Sequence, residues 1–310
     1  MFNVISSFSG CGGSSLGYIL AGGKILLAIE YDDNAYKNYK LNFPNTPIYY
    51  GDIKKISIDE IFDITNLKKF ELDILDGSPP CQGFSTAGKR NFNDNRNQLF
   101  IEYCRLLEGL QPKIFIMENV AGLIKGNMKF IFSEIISSLK NCGYNVKAKL
   151  MNCKFYDVPQ SRERMIFIGI RNDLNKQPIF PIPNNNIINL KNALKNCPEG
   201  IRKKCNNLEI IKLTKQGESP SKHHPKKSLF NTYRLSWNQP SHTVTKTAGN
   251  LIHPDLNETL SIEELKRIHT FPDDFKLIGS FNEKWARIGN SVPPNFMKKI
   301  SSNIYENILK

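Results

Sequence analysis

"NVISSFSGCGGSSLG", residues 3–17, sets an apolar, β-prone run directly before a turn holding three glycines, and then a stretch compatible with a helix. A strand feeding a helix through glycine-rich backbone opens many α/β sheets, because missing Cβ atoms let the chain turn tightly and let a ligand approach the backbone. The alternation continues outward: "KILLAIE", "LDILDGS", "KIFIMEN", "YNVKAKLMN" and "RMIFIGI" read as strands with amphipathic segments between them. Strands are expected near 3–7, 25–29, 73–76, 113–117, 144–151 and 165–170. That order predicts a doubly wound α/β sheet.

From about residue 175 the texture changes to an Asn-, Lys- and Pro-rich stretch with no sustained period, read as an inserted small domain or a set of long loops. The chain carries a net charge of +13, and residues 176–250 hold 13 Lys and Arg against 3 Asp and Glu, so +10 of it lies there and +3 elsewhere. A regional excess of this size points to a polyanionic partner. Regularity returns at "LSIEELKRIHTFPDDF", where Ser261 and Glu264 have the spacing of a capping box. In the last segment Phe296, Ile300, Ile304 and Ile308 share one helical stripe that is expected to pack back on the first domain. The longest apolar runs fall far short of a membrane span, and the seven cysteines are odd in number and unpaired in spacing. A soluble protein with reduced thiols, in the cytoplasm, is expected.

The candidate chemistry collects at strand ends. Glu30 follows Gly10 by twenty residues, where an acidic side chain can accept hydrogen bonds from both ribose hydroxyls, and Asp52 can take an adenine amino group by the same logic. The absence of a basic group near the glycine turn disfavours a pyrophosphate, and with it nicotinamide cofactors, and favours S-adenosylmethionine. Cys81 in "DGSPPCQGFS", residues 76–85, stands behind Pro79 and Pro80, which stiffen the backbone, and between Gly77 and Gly83, which permit sharp turns. Such a sulfur is presented as a nucleophile. Glu118 in "ENV" ends another strand, and Arg162 and Arg164, two apart, can address one face. No histidine has a clear place beside Cys81, which weakens a papain-like reading.

Taken in order, "FSGCGGSSLG", "IEYD", "GDI", "GSPPCQGFS", "ENV", "QSRERMIFIG", "RLSWNQPSHTVT", "FPDDF" and "GNSVPPN" make the chain resemble the DNA (cytosine-5) methyltransferases of the bacterial and phage type. The resemblance covers most of the chain. It implies a Rossmann-like S-adenosylmethionine-dependent methyltransferase sheet over 1–174, a small basic target-recognition domain over 175–255, and a return to the catalytic domain over 256–310. Cys81 is then the nucleophile, Glu118 the contact to cytosine N3, and Arg162 and Arg164 helpers around the ring. Cofactor contacts follow from Phe8, Gly10, Gly12, Glu30, Asp52, Ile53, Pro79, Asn290 and Ser291, with S-adenosylhomocysteine as product. Where the family usually has a proline and a glycine around the loop arginine, this chain has "DNRNQLF", residues 94–100.

The implied partner is double-stranded DNA, for a monomeric enzyme whose cognate restriction endonuclease, where there is one, is a genetic rather than a physical companion. Because C6 must be approached perpendicular to the ring, the target base has to leave the duplex stack. Residues 82–99 are expected to close over it, with Lys89, Arg90 or Arg96 on backbone phosphates, while Arg234, Thr243 and Thr245 contact DNA from the basic region. Cys197, Cys205, His223 and His224 fit no standard zinc spacing, so no metal is expected. A nicotinamide-dependent oxidoreductase would have no use for Cys81 behind two prolines. A non-catalytic DNA-binding protein would leave "PPCQ" and "ENV" unexplained.

Overall fold

The computed structural model describes residues 1–80, 98–124 and 128–310. The chain divides into two compact units, the first comprising Met1–Met151, Glu163–Ile182 and Met297–Lys310, the second Asn152–Arg162 and Pro183–Phe296.

The first unit is built on a seven-stranded sheet in the order β3-β2-β1-β4-β5-β8-β6. Its strands are β1 (Phe2–Ser7), β2 (Gly23–Glu30), β3 (Ile48–Tyr50), β4 (Ile74–Gly77), β5 (Ile114–Val120), β6 (Tyr144–Asn152) and β8 (Glu163–Arg171). From β3 to β5 all neighbours run parallel, and β8 lies antiparallel to β5. Helices α1 (Gly13–Leu20), α2 (Asp33–Asn42), α3 (Ile58–Thr65), α4 (Gln98–Leu110) and α5 (Met128–Asn141) link the strands. Central parallel strands covered on both faces are buried throughout and largely apolar. Accordingly every residue of β4 is buried, as are Ile114, Phe115, Ile116 and Met117 of β5. The doubly wound reading holds, and the expected strands all form. The short β3 completes the edge.

Reversal of the strand order on either side of β1 and β4 leaves a crevice at their carboxyl ends, where open α/β sheets bind ligands. Glycine turn, Glu30, Asp52, Pro79 and Glu118 all follow or end strands at that edge. Residues 297–310 belong to this unit, with the Tyr305 ring 5.2 Å from that of Phe2 and Ile300 and Ile304 fully buried, as the apolar stripe requires.

The second unit has little regular structure. It contains β7 (Gln160–Ser161) paired with β10 (Ser241–His242), β9 (Tyr233–Arg234) paired with β11 (Leu251–Ile252), and the helices α6 (Leu190–Ala193), α7 (Leu208–Leu213), α8 (Ile262–Ile268) and α9 (Phe281–Asn290). Helix α10 (Pro294–Ile304) begins at its end and runs on into the first unit's last segment. The expected capping box opens α8: Glu264 N donates to Ser261 Oγ at 3.2 Å and Ser261 N donates to Glu264 Oε2 at 2.8 Å. The unit that holds the basic region thus runs to Phe296 and takes in 152–162 as well.

Candidate active site

β1 delivers the chain into the glycine turn at a strained residue, Phe8, whose φ of 54° is left-handed although it carries a side chain. Gly10 (φ 58°) and Gly12 (φ 96°) continue the turn. A Cβ on Gly12 would lie 2.2 Å from the Phe43 ring, so only glycine fits, whereas one on Gly10 would point into open space. Gly10 N donates to Glu30 Oε2 at 2.7 Å, and Glu30 Oε1 accepts from Tyr31 N and Asp32 N, each at 2.9 Å. The acid at the end of β2 therefore fixes the turn itself, while its carboxylate keeps lone pairs for a ligand.

Phe8, Glu30, Asp52 and Ile53 line one recess together with Tyr31 and Leu99. The recess measures about 30 Å³, room for the edge of a ligand. Among the described residues, two carboxylates and no basic side chain line it. That donor-seeking, anion-repelling wall suits ribose hydroxyls or an amino group and disfavours phosphate.

On the adjacent parallel strands β4 and β5, Gly77 pairs with Met117, so the segment approaching Cys81 and the end of β5 emerge side by side. Asn119 Nδ2 donates to Pro79 O at 3.1 Å, tying "ENV" to the proline pair. Glu118 Oε1 meets Arg164 Nε at 2.6 Å, with side chains only 12% and 15% exposed. The antiparallel register produces this pair: Glu118 faces Ile166 and Val120 faces Arg164, which sets Glu118 and Arg164 diagonally on one face.

In the second unit Arg162 is 2% exposed, and its Nη1 and Nη2 donate to Val244 O (2.9 Å) and Ser291 O (3.0 Å). His269, fully buried, joins the same network: its ring bonds Ser291 O at 2.9 Å through Nε2 and Gln160 Nε2 at 3.0 Å through Nδ1. A carbonyl can only accept, so Nε2 carries the proton and Nδ1 accepts from Gln160. Gln160 Oε1 in turn accepts from Val244 N at 3.0 Å. Four separated stretches are locked together by this set of bonds. Elsewhere in the unit, a groove of about 650 Å³ is lined by Lys203, Lys204, Asn231, Thr245, Thr247 and Asn282 among others, with no acidic residue.

The model of the family described as C-5 cytosine-specific DNA methylase matches residues 2–306. The chain belongs to that family. This methylase is 34% identical over 330 residues to the Type II methyltransferase M.Sau96I of Staphylococcus aureus, covering 98% of the chain and 75% of the relative. To the Type II methyltransferase M1.HphI of Haemophilus parahaemolyticus it is also 34% identical, over 97% of the chain and 86% of the relative. A solved structure described as a DNA modification methyltransferase encoded within an E. coli prophage superposes with a TM-score of 0.82 at 24% identity, covering 100% of this chain and 99% of that one. A mutant of Spodoptera frugiperda DNMT2 superposes at 0.74 with 18% identity over the full length of both chains, a likeness of fold. The methylase is thus an enzyme of the S-adenosylmethionine-dependent DNA (cytosine-5) methyltransferase class.

Within the methylase, Phe8, Gly10, Gly12, Glu30, Asp52, Ile53, Pro79, Glu118 and Arg164 gather in the first unit, while Arg162, Asn290 and Ser291 belong to the second. Cys81, Lys89, Arg90 and Arg96 lie outside the described residues. One expected DNA contact needs correction. Arg234 is 6% exposed, and its guanidinium donates to the carbonyls of Ile211, His253, Pro254 and Leu256 and to Asn257 Oδ1. It acts as an internal brace. Thr243 Oγ1 donates to Ser161 O, whereas Thr245 lines the groove. Among the described residues no cluster of His, Cys, Asp or Glu could hold a metal ion, and no helix is long and apolar enough to cross a membrane. Asn119, Gln160, His269 and the buried Asp76 were not singled out by sequence reasoning. Their roles are contacts between distant segments, which no local pattern encodes.

Proposed function

We propose that this methylase transfers the methyl group of S-adenosylmethionine to C5 of a cytosine flipped out of duplex DNA, through a transient bond from Cys81 to C6. The observation that carries the reading is the Glu118–Arg164 pair at 2.6 Å at the sheet edge, beside the strand that leads to Cys81. The Cys81 thiolate adds to C6, and the displaced π electrons move toward N3, where Glu118 supplies a proton or hydrogen bond. Arg164 holds the Glu118 carboxyl in place, and Arg162 acts at one remove by fixing the backbone at Val244 and Ser291. C5 gains the electron density it lacks in free cytosine. Phe8, Glu30, Asp52 and Ile53 would hold the cofactor, which would supply an electrophilic methyl with S-adenosylhomocysteine as product. A base then removes the C5 proton, the C5–C6 double bond re-forms, the thiolate is expelled with its electron pair, and the proton supplied at N3 returns to Glu118.

Lys89, Arg90 and Arg96 supply cations for backbone phosphates around the target base. The second unit reads DNA: Lys203 and Lys204 supply salt-dependent affinity, while Asn231, Thr245 and Thr247 present amide and hydroxyl groups to base edges. The cellular role is protective methylation, in a restriction-modification pair or on phage DNA. A duplex carrying 5-fluorocytosine tests the chemistry, since fluorine cannot leave as a proton does and the adduct should persist. A covalent band with wild type and none with Cys81→Ser is expected; no band with wild type, or label delivered to tRNA and not to DNA, would overturn the reading.

A further inference from the structure

We propose that Asp76 is a positioning residue that fixes the glycine turn relative to the strand leading to the nucleophile; this rests on reading the Glu30 recess as the cofactor site. Asp76 sits on β4, five residues before Cys81, and is 4% exposed. Among the described residues no basic side chain bonds it. Its carboxylate is held by three neutral hydroxyls: Ser14 Oγ donates to Oδ2 at 2.6 Å, Ser6 Oγ to Oδ2 at 3.0 Å and Tyr18 OH to Oδ1 at 3.1 Å.

Two of those donors, Ser14 and Tyr18, belong to α1, which starts directly behind Gly12. α1 has no side-chain N-cap of its own, because Gly12 occupies that position in a left-handed conformation. The helix that carries the turn is therefore anchored from below by a group on a different strand. Ser6 is Asp76's register partner on β1, and Ser7 Oγ donates to Asp76 O at 2.8 Å, so β4 is itself pinned to β1. From the other side Asn119 holds Pro79 O. The cofactor turn and the proline pair are thereby fixed to one short strand. Burying a carboxylate without a cation is costly, and an apolar residue would pack more cheaply; what the acid adds is two bonds aimed at α1.

Ser14 and Ser6 donate to the same oxygen, but only Ser14 reaches the helix behind the turn, which makes them a matched pair for the test. Ser14→Ala and Ser6→Ala should lower the melting temperature by similar amounts. Calorimetric titration with S-adenosylhomocysteine, without DNA, should give a dissociation constant about tenfold weaker for Ser14→Ala, the consequence of a turn that spends only about a tenth of its time in the binding conformation. Ser6→Ala should bind within about twofold of wild type. In steady-state methylation Ser14→Ala should raise KM for S-adenosylmethionine with kcat retained. Equal effects of the two variants on binding, or none from Ser14→Ala, would overturn the positioning role. A wild-type protein that binds no S-adenosylhomocysteine would instead overturn the cofactor reading itself, and the positioning role with it.

Discussion

Replacing Arg234 by alanine separates an internal brace from a DNA contact. The guanidinium makes five hydrogen bonds, to four backbone carbonyls and one side-chain amide, at 6% exposure. Hydrogen bonds from a charged donor contribute roughly 1.5–3 kcal/mol each in isolation, but the alanine variant leaves a cavity that water can enter and re-satisfy some acceptors, so a net loss of about 3 kcal/mol is expected. For a unit of this size that corresponds to a melting shift of about 10 °C. Trp237 and Trp285, the chain's two tryptophans, both lie in the second unit, so intrinsic fluorescence reports its unfolding directly. DNA affinity measured against salt concentration, below the transition, should keep the wild-type slope. A variant that melts like wild type while the slope of log K against log salt falls by about one would show that Arg234 neutralises a phosphate, and would refute the brace.

Glu118→Gln keeps the size of the side chain but replaces the carboxyl that pairs with Arg164 by an amide; single-turnover methylation should slow by roughly 10²–10⁴-fold with DNA binding preserved. Burial pushes the Asp76 carboxyl up to about 6, against the opposing pull of the Ser14, Ser6 and Tyr18 hydrogen bonds. A carboxyl raised in this way favours the native state most at low pH, and that contribution is lost as pH rises from its ordinary value toward 6. Asp76→Asn, compared with wild type by urea unfolding, should therefore gain about 2 kcal/mol of relative stability between pH 4 and pH 7, and a pH-independent difference would contradict the shift. Gly289→Ala would put a methyl 2.2 Å from the Thr245 carbonyl oxygen, a backbone atom that cannot swing aside. A clear drop in the melting temperature of the second unit, followed through Trp285, is expected.

The sheet was legible because its buried strands are short apolar runs punctuated by turns: "LDILDG" and "KIFIMEN" could hardly sit anywhere but in a covered parallel layer. Glu30 was placed by its distance to Gly10 and Asp52 by its position after a short strand, and both line one recess. What sequence could not supply was orientation in the irregular second unit. Arg234 sits in a basic stretch and reads as a phosphate ligand, but it folds inward because the carbonyls of the 253–256 turn and of α7 need a donor. Arg162 and Arg164 looked equivalent by spacing. They part because Glu118 stands diagonally across the β5–β8 ladder from Arg164, while Arg162 precedes that strand and meets Val244 and Ser291. Asp76 escaped notice because it sits at the end of an expected strand, 73–76, and nothing local says that its partners are three distant hydroxyls.

The most direct test is nucleoside mass spectrometry of duplex DNA incubated with the purified protein and S-adenosylmethionine carrying a deuterated methyl group. The account predicts labelled 5-methylcytosine from wild type, at a defined sequence context on bisulfite reading, and none from Cys81→Ser. Label on N4 of cytosine or on adenine, or unaltered turnover in the serine variant, would contradict it.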